Sequence, residues 1–183
     1  LAEDQRWRMA FGEDRPIPVK LEKALLAAED RRFRWHPGVD PLAVMRALVQ
    51  NLKAAKRVSG ASTLTMQAVR LMDPRPRTWT SKAWEMVRAV KLDLLRSKED
   101  ILRLYLTHAP YGGNVVGARA AALRFFGVEA EDITWAQACT LVVLPRSPSS
   151  VNLQSGRNEL MKRRDNLLAR LEKECILDDA TLD

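Results

Sequence analysis

Apolar residues recur at helical spacing along nearly the whole chain, and no run of alternating polar and apolar positions argues for a strand. After a start broken by Pro16 and Pro18, Leu21, Leu25, Leu26 and Ala28 predict a first helix over about Val19 to Phe33. Pro41, suited to a first helical turn, opens a second helix that carries Val44, Leu48 and Leu52. Gly60-Ala61-Ser62 breaks the pattern, and Ser62 or Thr63 is placed to cap a helix reaching Leu71. Pro74 and Pro76 impose a loop. Ala83, Met86, Val87, Val90 and Leu94 then give a further helix one apolar face. Ser97-Lys98-Glu99-Asp100 reads as a capping box for Ile101 to Leu106. Beyond a loop at Pro110 to Asn114, a helix ends at Gly127, a residue suited to a C-cap. Thr134, with Gln137 three residues on, starts an apolar helix through Leu144; Pro145 and Pro148 frame a loop, and a charged helix follows from about Arg157 to Glu174. The expectation is one all-α domain over residues 1–183.

Composition narrows this only a little. A chain of 183 residues can bury one sizeable core. A net charge of +7 favours an anionic partner such as nucleic acid, a phosphorylated substrate or an acidic membrane surface. The arginines are scattered rather than striped and no nucleic-acid recognition motif is present, so nucleic acid is not expected. Ala138 to Leu144 is the best apolar run and is too short to span a bilayer. Because the chain opens on Leu1, it reads as a piece of a longer protein, and the lack of an anchor within it proves nothing. Cys139 and Cys175 have no metal-ligand spacing, and Cys139, in an apolar helix, reads as a core residue.

Four segments carry candidate chemistry. Glu29 and Asp30 stand where the first apolar helix stops, followed by Phe33 and by Trp35-His36-Pro37-Gly38, which forces the chain out of helix. Such a cluster can form one wall of a polar cleft, where a poorly solvated carboxylate serves as a base, or can be a solvated helix end. Gly60 to Gln67 is a small turn feeding a helix with hydroxyls in its first turn, which suits either an anion at the helix N-terminus or ordinary capping. Arg77 is followed by Lys82 and Glu85, three apart and so on one helix face, as in a catalytic pair or a plain surface pair. Pro110-Tyr111-Gly112-Gly113 with Gly117 would let backbone approach a ligand or another segment closely.

Together these segments resemble glycosyltransferase family 51, the peptidoglycan glycosyltransferase domain of class A penicillin-binding proteins, over about Lys20 to Leu171. The family's Glu-Asp-x-x-Phe-x-x-His-x-Gly stands complete as Glu29, Asp30, Phe33, His36 and Gly38. Its Gly-Gly-Ser-Thr turn with Thr-x-Gln is present with Ala61 at the second glycine. Arg77, Lys82 and Glu85 match its arginine and Lys-x-x-Glu. Lys98-Glu99-x-Ile101-Leu102-x-x-Tyr105-Leu106 and Leu144 to Ser149 match the remaining two motifs. The wording of the second motif and of Ala-Pro-Tyr-Gly-Gly is most similar to the 1C-type proteins.

The resemblance implies a lysozyme-like helical fold that polymerises lipid II with inversion, releasing undecaprenyl pyrophosphate, at the periplasmic face of the bacterial inner membrane. It implies Glu29 as general base, held by Asp30 and His36, and Glu85 on the donor side. Phe33, Gly60, Ser62, Thr63, Gln67, Arg70, Arg77 and Lys82 would line the substrate. It implies no obligatory cofactor, with Glu85 the candidate ligand for a divalent cation, Mg or Mn. Partners would be lipid II, the growing glycan strand and the membrane surface, with a transpeptidase domain beyond this one and an anchor before it.

The chain departs from the family pattern in places. Ser81 replaces an arginine, Arg70 a common lysine, Leu71 and Thr107 asparagines, and Gln137 a frequent glutamate. Pro41 to Val58 mixes Leu42, Val44, Met45, Leu48, Val49 and Leu52 with Arg46, Lys53, Lys56 and Arg57, which suits an interfacial helix or an amphipathic core helix. The competing enzyme class is a lysozyme-like peptidoglycan-cleaving hydrolase or lytic transglycosylase. That chemistry needs a glutamic acid but leaves the cations beside Glu85 unexplained.

Overall fold

The structure, a computed structural model, describes residues 6–12, 15–54, 62–146 and 156–177. In chain order the elements are β1 (Trp7–Arg8), α1 (Val19–Glu29), α2 (Pro41–Ala54), α3 (Leu64–Met72), α4 (Trp79–Leu95), α5 (Lys98–His108), β2 (Pro110–Gly112), β3 (Val115–Val116), α6 (Ala118–Phe126), α7 (Trp135–Val143) and α8 (Arg157–Lys173). The helical fold class expected from the sequence holds. Contacts divide the chain into two compact units, one of Leu1–Ala28 with Leu106–Asp183 and the other of Glu29–Tyr105.

The first unit is built on α1, α6, α7 and α8. Leu21, Ala24 and Leu25 of α1 are buried, as are Ala118 and Ala120 to Ala122 of α6, small residues that let backbones approach. Leu141 of α7 and Leu171 of α8 are fully buried; a leucine removed from water contributes about 1.5–3 kcal/mol. Arg170 of α8 donates to the Ala27 carbonyl, one of the orphan acceptors at the end of α1. Thr134 and Gln137 form the expected capping box, and Gly127 ends α6 in the left-handed conformation. Cys139 is buried, and burial pushes its thiol pKa up to about 12, whereas Cys175 is exposed.

This unit also holds a small sheet that the hydrophobic pattern did not reveal. Its order is β1-β3-β2, with Trp7 beside Val115 in a parallel pair and Gly112 beside Val115 in an antiparallel one. Strands of two or three residues are too short to show alternation. Gly112 ends β2 and Gly113 opens the hairpin turn, both at positive φ with nothing close by, whereas Gly117 makes the expected close approach to another segment, a Cβ there falling 2.9 Å from the Thr107 carbonyl oxygen.

The second unit is centred on α3 and α4, where Met66, Val69 and Ala89 form a buried cluster with Val39, Met86 and Leu92 packed against it. Thr63 is the N-cap of α3, accepting from the Met66 amide, and Thr78 caps α4. Ser97 and Asp100 exchange backbone-to-side-chain hydrogen bonds at the start of α5, as the capping box predicts. Two expectations need correction. The first helix stops at Glu29, and residues 31–35 form turns, because the Asp30 carboxylate is held by groups outside the helix. The packed face of α4 matches the predicted apolar face only in part, at Met86 and the half-buried Val90. Glu85 and Ala89 are buried, while Ala83, Val87 and Leu94 are exposed.

Candidate active site

Asp30 organises the turn that follows α1. Its carboxylate accepts from the Leu64 amide at 3.0 Å and lies 3.0 Å from His36 Nε2, with both side chains buried. Donation from Nε2–H to an ionised carboxylate is the favourable arrangement. His36 Nδ1 is buried with no hydrogen-bond partner among the described residues, so the neutral Nε2–H tautomer leaves only a lone pair unmatched rather than an orphaned donor. Phe33, fully buried, meets the His36 ring edge to face. Glu29, immediately before Asp30, stays partly exposed and accepts from Gln67 Nε2 at 3.0 Å.

Glu85 lies on α4 with Lys82 Nζ 3.1 Å and Arg70 4.0 Å from its carboxylate. Lys82 also donates to Ser62 Oγ at 2.5 Å. Gln67 and Arg70 are three residues apart on α3 and share one face of it. Through them that face touches both glutamates, one at each end of a single helical turn. Arg77 stands exposed on the loop before α4. The second-motif hydroxyls behave differently from one another. Thr63 Oγ1 donates to the Gly38 carbonyl and caps α3, and the Leu64 amide belongs to Asp30. The α3 N-terminus therefore spends these amides inside the protein, and Ser62 is the hydroxyl that meets a cation. Gly60 lies outside the described residues, as do Lys56 and Arg57 of the basic segment. Ser81, which replaces the family's arginine, accepts from the capping Thr78 hydroxyl.

Reading the sequence missed three contacts that fix this site. Arg32 pairs with both oxygens of Asp40, whose carboxylate also caps α2 by accepting from the Leu42 and Ala43 amides. Burial alone would raise the Asp40 pKa, but the Ala43 amide and the Arg32 guanidinium together hold it below the usual value. Gly38 takes φ +78°, and a Cβ there would fall 2.3 Å from the Ala89 carbonyl oxygen of α4. Lys98 donates to the His36 carbonyl and to Asp93, both at 2.6 Å, with its ammonium 4.7 Å above the Phe33 ring.

No group of three or more His, Cys, Asp or Glu side chains able to hold a metal assembles among the described residues. A divalent ion at Glu85 would have to draw its remaining ligands from substrate phosphates and water, as Mg commonly does. Glu85 already faces two cationic side chains, Lys82 and Arg70.

The transglycosylase family model matches residues 2–172. Penicillin-binding protein 1C of Escherichia coli (strain K12) is 39% identical over 87% of this chain and 22% of its own length. Penicillin-binding protein 1A of Aquifex aeolicus (strain VF5) is 35% identical over 86% of this chain and 22% of its own. Penicillin-binding protein 1A of Vibrio cholerae serotype O1 is 33% identical over all of this chain and 23% of its own. The chain belongs to the transglycosylase family, as the glycosyltransferase family 51 domain of class A penicillin-binding proteins. It is thereby a peptidoglycan glycosyltransferase domain of cell-wall synthesis, and it spans about a fifth of the length of the relatives it matches.

Proposed function

We propose that this domain polymerises lipid II, with Glu29 as the base and the Glu85 cluster as the donor-side site. The acceptor's sugar 4-hydroxyl attacks the anomeric carbon of the lipid-linked donor from the face opposite its pyrophosphate, so configuration inverts. The new C–O bond forms as the C–O bond to pyrophosphate breaks. The hydroxyl proton passes to Glu29, and the electron pair leaves with undecaprenyl pyrophosphate. Gln67 orients the Glu29 carboxylate, while Asp30 and His36 fix the turn that carries it. Negative charge grows on the departing diphosphate, and cations already in place stabilise it without reorganisation. Lys82 and Arg70 are such cations, and Arg77 stands exposed on the loop before α4. Glu85 keeps Lys82 extended toward Ser62.

The observation that supports this reading best is the shared α3 face, which puts a carboxylate held by an amide one helical turn from a carboxylate ringed by cations. Cleavage can use a second carboxylate, but it produces no diphosphate for the cations around Glu85 to meet. The same reading places the domain at the periplasmic side of the inner membrane, with its relatives' greater length accommodating an anchor and a transpeptidase. Leu42, Met45 and Val49 form an exposed apolar stripe on α2, which suits contact with lipid. No helix among the described residues is long and apolar enough to cross a membrane.

Chain growth from lipid II by the purified protein, followed on gels, tests the assignment. Glu29→Gln is expected to lower it by about 10²–10⁴-fold, the range for a lost general base. Glu85→Gln is expected to lower it as well, with weaker donor use. Near-parental product from Glu29→Gln refutes the base, and release of fragments from finished murein without chain growth favours the cleaving class.

A further inference from the structure

Glu85, Ala89 and Asp93 are spaced four apart on α4 and so lie along one face of it, and all three side chains are turned away from water. The turn carrying Glu29 is fastened to this face at two points. At Ala89 the contact is backbone on backbone, since Gly38 leaves no room for a Cβ. At Asp93 it runs through Lys98, whose ammonium is shared among the Asp93 carboxylate, the His36 carbonyl and the Phe33 ring. Lys98 thus grips Phe33 and His36 of the turn and ties them to the helix that carries Glu85. Its charge is committed to these partners, which separates it from Lys82 and Arg70 at the donor side.

We propose that the Lys98–Asp93 pair is a positioning device that sets where Glu29 stands relative to Glu85. The inference rests on the polymerase reading above and assigns Lys98 no contact with substrate. Loss of the pair lets the His36 carbonyl and the Phe33 ring drift from α4, and Glu29 drifts with them, while the binding of lipid II through the cations around Glu85 is retained. A misplacement near 1 Å can cost about 10²-fold in rate.

The experiment compares the parent with Lys98→Met, Lys98→Arg, Asp93→Asn and, as an exposed control on α4, Lys91→Met. Folding is checked by circular dichroism and melting. Lys98→Met is expected to lose about 10²-fold in kcat with KM for lipid II within about threefold, the pattern of an effect felt mainly in the transition state. Lys98→Arg, which keeps a cation over Phe33, recovers most of the loss, and Lys91→Met behaves as the parent. The chain has only two histidines, so ¹⁵N-histidine spectra give a second readout. His36 signals shift in Lys98→Met and Asp93→Asn and stay in place in Lys91→Met. A folded Lys98→Met with kcat within about twofold of the parent, or with unmoved His36 signals, overturns the proposal. If the parent itself grows no chains, the polymerase reading fails, and the histidine signals alone decide the positioning role.

Discussion

Gly38 shows how much one missing side chain can decide. Its positive φ and its contact with the Ala89 carbonyl are both closed to an ordinary residue. Gly38→Ala is expected to cost on the order of 2 kcal/mol or more from backbone strain and overpacking. Urea unfolding measures it, and an unchanged midpoint would mean that the turn does not rest on α4. Asp40 gives a pH-dependent case. Its folded pKa is depressed, so its contribution is present above the unfolded value, near 3.9, and is lost as pH falls through the lower folded value. Asp40→Ala should cost about 1 kcal/mol at neutral pH, the usual loss for an N-cap. The mutant and parent melting temperatures should converge in acid. Parallel curves down to the most acid pH would contradict this. Glu29, Asp30, Phe33 and His36 were legible as a cluster because they lie within eight residues of one another. Lys98 stood in a motif, yet its partners Asp93, His36 and Phe33 were not legible, and neither was the Arg32–Asp40 pair, since a charged residue does not advertise which partner the fold will bring it.

Helix periodicity placed most of the helices well, and the caps at Thr134 and Gly127 were readable from residue type, while Thr63 was one of two candidates with Ser62. It failed where side-chain demand overrode local pattern. The first helix gave up its last turn because Asp30 is claimed by His36 and Leu64. In α4 Val87 and Leu94 face outward because the helix buries Glu85 and Ala89 instead, with Met86 and Leu92 packed beside them. The same outward habit in α2 has a measurable consequence. Replacing Leu42, Met45 and Val49 together by serine should leave melting nearly unchanged, because these side chains are already exposed. Binding to anionic vesicles should fall in a flotation assay, with what remains weakened further by salt. Undiminished binding by the triple variant would move the lipid contact elsewhere.

For the molecule as a whole, the fold class and the family were readable because ordered motifs extend over most of the chain, whereas the division into two compact units and the small sheet were not. The units and the β1–β3 pair depend on contacts distant in sequence, to which spacing is blind, and the β2–β3 hairpin has strands too short to alternate visibly. One feature of the first unit supplies a simple gauge. Cys139 is sealed in the interior with its thiol protonated far above neutral pH, and Cys175 lies in the open. The native protein should therefore take up a single maleimide label quickly, at Cys175. The rate at which a second label arrives would then time the opening of α7's surroundings, a clock built into the native sequence and readable by mass spectrometry.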